Sequence, residues 1–283
     1  MQSVVLSHVQ ARPLLAARAA HHPSARVSLD LNLSLEDVTL GPEGASLPDG
    51  QQLAWSQIEH IAGSDSGCFQ VTDSAITKVQ AFSDLTNRVY SLYPTQAAPT
   101  MLVSGLPMHR IKDTDPYQDT LTKIKAAALT HGRTLDTCTG LGYTAIEAAK
   151  VSEDVITIEL DPAAQVIARQ NPWSQRLFEQ TSNIKQVLGD ALDVVETFEA
   201  ATFSRIIHDP PTFALGGELY GEAFYHALRR VLKPGGKLFH YIGDLDSTSG
   251  SRVARGAIER LKRAGFARVT PRPEAFGLVA TAG

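Results

Sequence analysis

Two cysteines, Cys68 and Cys138, are all that 283 residues contain. That excludes a disulfide framework and a cysteine-based zinc site, and Cys138, set among loop glycines, suits a reducing compartment. His109, His208 and His240, even with Asp209, lack a His-x-x-x-His or similar spacing, so no metal site is expected. No run approaches ~20 consecutive apolar residues, so no membrane-spanning helix and no membrane partner are expected. Positive charge is not in excess either. The formal net charge is -4, which argues against a broad basic face for bulk nucleic acid and leaves only a local patch open. The leading segment MQSVVLSHVQARPLLAARAAHH has no charged stretch before its apolar part and is broken by polar residues. It reads as part of the fold rather than as a signal peptide, and a cytoplasmic placement follows as the expectation. What is present is apolar material for a core, 43% of residues, in a chain long enough for two domains.

The chain changes grammar once. ARVSLDLNLSLEDVTLGPEGASLPDGQQLAW alternates polar and apolar residues in short runs cut by Gly-Pro and Pro-Asp-Gly, and AITKVQAFSDLTNRVYSLYPT and PTMLVSGLPMHRI continue the pattern. Strands and hairpins are written this way, so residues 1–112 are expected to form a smaller β-rich domain with a role in substrate selection. From 113 to 283 the pattern is different. TDPYQDTLTKIKAAALTHG reads as a helix with Thr114 or Asp115 as cap, Pro116 in its first turn and Gly132 past its end. RTLDTC, DVITIEL, IKQVL, FSRIIHD and GKLFHYIG follow as short β-rich runs separated by helical segments, and FARVTPRPEAFGLVATA reads as two strands joined by a Pro-rich turn. Alternating strands and helices specify an α/β, doubly wound, mostly parallel sheet.

Candidate site residues fall at the expected strand ends. DTCTGLGYTAIEAA, from Asp136, places Gly140 and Gly142 between a strand and a helix, where they let a ligand approach backbone closely. Gly140 to Ala145 also fits the G-x-G-x-x-G/A dinucleotide pattern, and a tight turn without a ligand fits too. Glu159 ends the next strand and can accept two ribose hydroxyls; Asp161 beside it reads equally as a helix cap. Asp190 follows the third strand, suited to an adenine amino group or to an N-cap. Asp136, Glu159 and Asp190 together line one crevice at the carboxyl edge of the sheet. The fourth strand delivers IIHDPPTF. Asp209 can accept hydrogens from an amine, Pro210 and Pro211 stiffen the turn and remove two donors, and Phe213 can stack on a flat substrate. His240 and Tyr241 end the fifth strand beside that pocket, one facing it and the other the core. His109 and Arg110, and Tyr117 and Asp119, read as either ligand contacts or ordinary surface groups. Arg252, Arg255, Arg260, Lys262 and Arg263, interrupted by Glu259, read as a solvated helix face.

In their order, Asp136 to Gly142, Glu159, Asp190 and Asp209-Pro210-Pro211 resemble class I S-adenosylmethionine-dependent methyltransferases, over roughly residues 113 to 283. PTMLVSGLPMHR and HDPPTFALGGELYGEAFYHALRRVLKPGGKLFHYIGD are similar to predicted methyltransferases found mainly in archaea. ELYGEAFYHALRRVLKPGG also resembles the spermidine synthase family, which has the same fold and transfers an aminopropyl group. The resemblance implies a seven-stranded sheet with the last strand antiparallel, and S-adenosylmethionine as cofactor. It places the amino acid part of the cofactor on Asp136, Cys138, Thr139, Gly140 and Gly142, the ribose on Glu159, and the adenine on Asp190 with Ala191. Asp209 and Pro210 would carry catalysis, with Phe213, His240 and Tyr241 toward the substrate. Loop amides and the Thr139 and Thr144 hydroxyls would hold the cofactor carboxylate. Two departures stand out: Cys138 replaces the family's first loop glycine, and Thr212 stands where amino-methylating enzymes of nucleic acids carry an aromatic. The activity so implied is methyl transfer to nitrogen, with a small amine, a protein side chain or nucleic acid as acceptor and a homodimer as an open state. Aminopropyl transfer, an NAD-dependent oxidoreductase and a non-catalytic binding module are the alternatives.

Overall fold

The computed structural model describes residues 4–72 and 75–283. The chain forms two compact units. One holds the residues up to Tyr117 together with Ala163–Gln175; the other holds Gln118–Pro162 and Arg176–Gly283.

In the first unit the leading segment supplies β1 (Val4–Ser7) and α1 (His8–Ala19). The helix begins where it does because Ser7 and Gln10 form a capping box: Ser7 Oγ accepts from Val9 N–H at 3.2 Å, and Gln10 Oε1 accepts from Ser7 N–H at 3.0 Å. Then come β2 (Ser24–Val27), β3 (Glu36–Leu40), β4 (Gly44–Ser46), β5 (Gln52–Ala54), α2 (Trp55–Ala62), β6 (Cys68–Thr72) and β7 (Ala75–Lys78). The last four strands are β8 (Gln80–Ser83), β9 (Arg88–Tyr93), β10 (Thr100–Val103) and β11 (Leu106–Pro107). They pair as three antiparallel sheets, β1-β6-β7, β2-β3-β4-β5 and β11-β10-β9-β8. Leu14, Val38, Leu53, Ile58 and Ile61, all fully buried, belong to a cluster built from both helices and the first two sheets.

The second unit is organised by one sheet. After α3 (Pro116–Ala127) come β12 (Thr134–Asp136), α4 (Tyr143–Ala149) and β13 (Val155–Glu159); α5 (Pro162–Gln170) follows in the chain but belongs from Ala163 to the first unit, and the second resumes with β14 (Ile184–Leu188), α6 (Ala191–Glu196) and β15 (Phe203–His208). They continue as α7 (Phe213–Gly216), α8 (Glu222–Val231), β16 (Leu232–Tyr241), α9 (Thr248–Arg263), β17 (Phe266–Arg272) and β18 (Gly277–Ala282). The strand order is β14-β13-β12-β15-β16-β18-β17. Pairing is parallel from β14 through β16, and β18 is antiparallel to both of its neighbours, so the sheet is mixed rather than purely parallel. The chain leaves β12 for β13 on one side and returns to β15 on the other, which makes the carboxyl end of β12 the topological switch point.

Two local expectations change. Helix α3 stops at Ala127, followed by Ala128 in the left-handed region (φ 49), so Gly132 does not end it. Gly132 (φ 148) instead packs where a Cβ would come within 2.7 Å of Ser204 Oγ. Strand β16 starts at Leu232 and takes in the Pro-Gly-Gly segment, with a register shift opposite β15, rather than starting after it. Among the described residues, no helix is long and apolar enough to cross a membrane.

Candidate active site

The carboxyl ends of β12, β13 and β15 bring together Asp136, Glu159 and Asp209. Between β12 and α4 the loop turns on Gly140 (φ 52) and Gly142 (φ 76), both left-handed. Cys138 is not among the positive-φ residues, so an L side chain sits without strain where the methyltransferase pattern that the loop resembles has glycine. The two glycines differ in surroundings. A Cβ on Gly142 would collide with Leu177, whereas one on Gly140 would meet nothing within 4 Å. Gly142→Ala is therefore expected to cost about 2–5 kcal/mol of stability, overpacking added to its left-handed backbone. Gly140→Ala should cost only about 1–2 kcal/mol, for its left-handed backbone, and act mainly on whatever approaches the loop. Denaturant unfolding of the two variants beside a ligand titration checks this; equal stability losses would contradict it.

Asp136 is fully buried. Its Oδ2 accepts from Thr157 Oγ1 at 2.9 Å and Thr144 Oγ1 at 3.1 Å, while its buried Oδ1 has no partner among the described residues. Burial, against those hydroxyls and with help from the charges of Asp209 and Glu159, pushes the carboxyl up to about 7. Thr139 Oγ1 lies 2.7 Å from Thr157 Oγ1. The hydroxyls of Thr139 and Thr144 are thus engaged inside the fold, not presented to a carboxylate as the sequence suggested. The loop amides are largely engaged too: Thr139 N–H donates to Ile158 O, Gly140 N–H to Glu159 and Gly142 N–H to Thr139 O.

Glu159 is held by two backbone donors. Its Oε2 accepts from Gly140 N–H at 2.8 Å and its Oε1 from Asp161 N–H at 3.0 Å. Burial nevertheless raises it to about 7. A carboxylate fixed at both oxygens, each with acceptor capacity left, is pre-aimed for two hydroxyls. Asp190 caps α6, its Oδ1 accepting from Leu192 N–H at 2.9 Å, and Ala191 is buried behind it. The Cys138 thiol is kept protonated by burial and the neighbouring acids.

Nothing in the sequence pattern pointed to Lys123. Helix α3 buries this lysine, and its Nζ donates to Asp209 Oδ2 at 2.7 Å, pairs with Asp119 Oδ2 at 2.9 Å and sits 4.3 Å from the centre of the Tyr241 ring. Burial alone would lower the lysine, but Asp209 and Asp119 outweigh it and hold the ammonium above its ordinary value. One cation serves two acids. Asp209 accordingly lies above the usual carboxylate range, because burial and the Asp119 charge exceed what Lys123 offsets. Its Oδ1 takes no hydrogen bond from the described residues.

Strand alternation decides between His240 and Tyr241. Tyr241 faces Lys123, while His240 is fully buried and bonded through Nε2 to Tyr225 Oη at 2.8 Å. His240 is therefore a core residue and not the substrate contact it was expected to be. Its register partner His208 is also buried, with Nε2 donating to Leu219 O at 2.9 Å and Nδ1 accepting from Thr137 Oγ1 at 2.7 Å; burial lowers it to about 4. Of the two proline carbonyls, that of Pro211 accepts from Tyr220 Oη at 3.1 Å, while Pro210 O takes no hydrogen bond from the described residues. Phe213, 53% exposed, touches Tyr220 edge-on and leaves a face open. Arg260 turns inward to Tyr220 O at 2.8 Å, so α9 is not a purely solvated basic face. In the first unit His109 is bonded to Thr100, and Tyr117 lies 5.3 Å from Trp173.

No family model matches the chain. Over 260 residues it is 42% identical to the uncharacterized protein MJ1233 of Methanocaldococcus jannaschii, covering 90% of this chain and 88% of that protein. The chain belongs to the family of MJ1233. A shorter stretch of 98 residues is 32% identical to polyamine aminopropyltransferase 2 of Streptomyces coelicolor, covering 33% of this chain and 18% of that enzyme. Among solved structures, a spermidine synthase in complex with the transition state analogue AdoDATO superposes with a TM-score of 0.59 at 16% identity, over 74% of this chain and 76% of that one. The likeness is one of fold: the Rossmann-like α/β architecture that spermidine synthases share with S-adenosylmethionine-dependent methyltransferases.

Proposed function

We propose that the chain is a transferase that binds S-adenosylmethionine in the crevice at β12, β13 and β15 and methylates a nitrogen acceptor. The observation that carries the methyl reading is Lys123. A polyamine acceptor needs unpaired acids at the transfer site, and here both Asp119 and Asp209 are already paired with an internal ammonium. The cofactor fits the residues in three ways. Gly140 leaves room for close approach, Glu159 is aimed for a ribose, and the acids of the crevice suit a sulfonium cation. A dinucleotide fits less well. Its pyrophosphate would meet Glu159 at the helix start, and the amides of Thr139, Gly140 and Gly142 are already engaged.

When bound, S-adenosylmethionine supplies a methyl group with its own leaving group, so the protein's task is alignment, desolvation and proton removal. Asp209, tied by Oδ2 to Lys123, is orientated with Oδ1 left for an acceptor N–H. Its raised proton affinity suits it to take the proton once the nitrogen has gained a positive charge. Tyr241 is held against Lys123, and Phe213 offers an open aromatic face. Asp190, with its Oδ1 on the helix cap, has Oδ2 left for an adenine amino group.

Aminopropyl transfer is the second reading. It is favoured by the commitment of the loop amides and of Thr139 and Thr144, which removes donors that a cofactor carboxylate would use. The 98-residue stretch similar to polyamine aminopropyltransferase 2 lends weight to it. Incubation with decarboxylated S-adenosylmethionine and putrescine separates the two. We expect no release of methylthioadenosine; its release in repeated turnovers would replace methyl transfer with aminopropyl transfer.

A further inference from the structure

If the chain transfers methyl groups as proposed above, its acid-rich pocket also restricts the acceptor. Two carboxylates and an aromatic face around one nitrogen are the recognition set for a primary alkylammonium ion. Asp119, Asp209 and Tyr241 make that set, with Nζ at 2.9 Å, 2.7 Å and 4.3 Å from them respectively. The ion is the chain's own Lys123. Lys123 is 2% exposed and Asp119 0%, while Asp209 at 17% is the member that opens outward.

We propose that Asp119, Asp209 and Tyr241 form an ammonium site that Lys123 fills, so that the acceptor must present an uncharged, planar nitrogen rather than an alkylammonium or polyamine chain. An aliphatic amine arrives protonated near neutral pH. A second ammonium beside Nζ finds Asp119 and Asp209 Oδ2 already engaged, and repulsion by Nζ offsets most of the attraction that the one uncompensated carboxylate charge leaves. An exocyclic, amide or N–H-bearing ring nitrogen arrives neutral and escapes this repulsion. Its lone pair forms the new bond to the methyl carbon, the carbon–sulfur bond breaks with its electrons going to sulfur, and the nitrogen's proton passes to Asp209 Oδ1. Phe213, more than half exposed, suits a planar acceptor.

The test uses spermidine and propylamine. Titration of the wild-type protein with spermidine, with and without S-adenosylmethionine, is expected to show no saturable binding below about 5 mM. Lys123→Ala removes Cγ, Cδ, Cε and Nζ, which are the atoms of propylamine. The variant should melt below the wild type and regain part of the loss in a saturable way with propylammonium. Tetramethylammonium, which has no N–H, should not restore it, and the added Asp209→Asn substitution should abolish the rescue. If Lys123→Ala does not fold, Lys123→Met is titrated with spermidine in its place and should bind it where the wild type does not. Saturable binding of spermidine by the wild type, or a folded Lys123→Ala indifferent to propylammonium, overturns the proposal. Failure to bind S-adenosylmethionine is read separately and would overturn the methyl-transfer reading instead.

Discussion

Asp209→Asn is expected to lower turnover at least ~100-fold, while S-adenosylmethionine affinity stays within about threefold and stability holds or rises. Stability is spared because of the buried triad. Lys123, 2% exposed, keeps Asp119 at 2.9 Å, and two acids on one cation become a balanced pair. Burial holds Asp209 above the usual carboxylate range, so its charged form costs the fold what the neutral amide does not. The turnover loss arises because the amide cannot take a proton. The cofactor is spared because Glu159 and Asp190, the acids proposed for its ribose and adenine, follow other strands. Three measurements read the three effects: denaturant unfolding, labelled methyl transfer into a cell extract, and calorimetry. A marked loss of stability would contradict an excess of acid over cation in the triad. A tenfold or larger loss of cofactor affinity would move Asp209 into the donor site.

Asp136→Asn should change the pH dependence of stability. The Asp136 carboxyl rises from 3.8 to about 7 on folding, chiefly through burial. A carboxyl raised in this way binds its proton more tightly in the folded state. Its contribution to stability is then fullest below its unfolded value, falls as pH rises toward about 7, and is level above that. Each tenfold gain in proton affinity corresponds to about 1.4 kcal/mol, so most of the fall lies between pH 4 and pH 7. The asparagine variant lacks it. Relative to the wild type, Asp136→Asn should therefore gain about 2–3 kcal/mol between pH 5 and pH 8. Thr144 and Thr157 can still donate to the amide oxygen, so the local hydrogen bonds survive. Unfolding curves at both pH values decide it, and parallel pH profiles would contradict a buried, proton-binding Asp136.

The second unit was largely legible because its signals are local. Strand ends at Asp136, Glu159 and His208, the left-handed Gly140 and Gly142, and the final hairpin all follow from short-range backbone preferences. Lys123 was not. Asp119 and Lys123 sit four apart on α3, which reads as an exposed ion pair. Leu121 and Ile124 suggest the apolar face, yet Asp119, Thr120, Lys123 and Ala127 are the buried ones. The long-range partner Asp209 helps to make that polar face burial-competent, and no periodicity records it. His240 was misjudged for a related reason: alternation gives two faces but not which one the core takes, and Tyr225 settles that through its hydroxyl. Helices α1 and α2 were passed over, although Ser7 and Gln10 spell a capping box and Trp55, Ile58, Ile61 and Ala62 recur at helical spacing.

Calorimetric titration of the wild-type protein and of Glu159→Ala with S-adenosylmethionine tests the central claim most directly. Glu159 is held by the Gly140 and Asp161 amides with acceptor capacity for two hydroxyls. Its removal should weaken binding by about 1–3 kcal/mol, roughly fivefold to a hundred-and-fiftyfold, with one cofactor per chain in the wild type. Absence of binding to the wild type, or equal affinity in the two proteins, would contradict a cofactor site built on the switch point of this sheet.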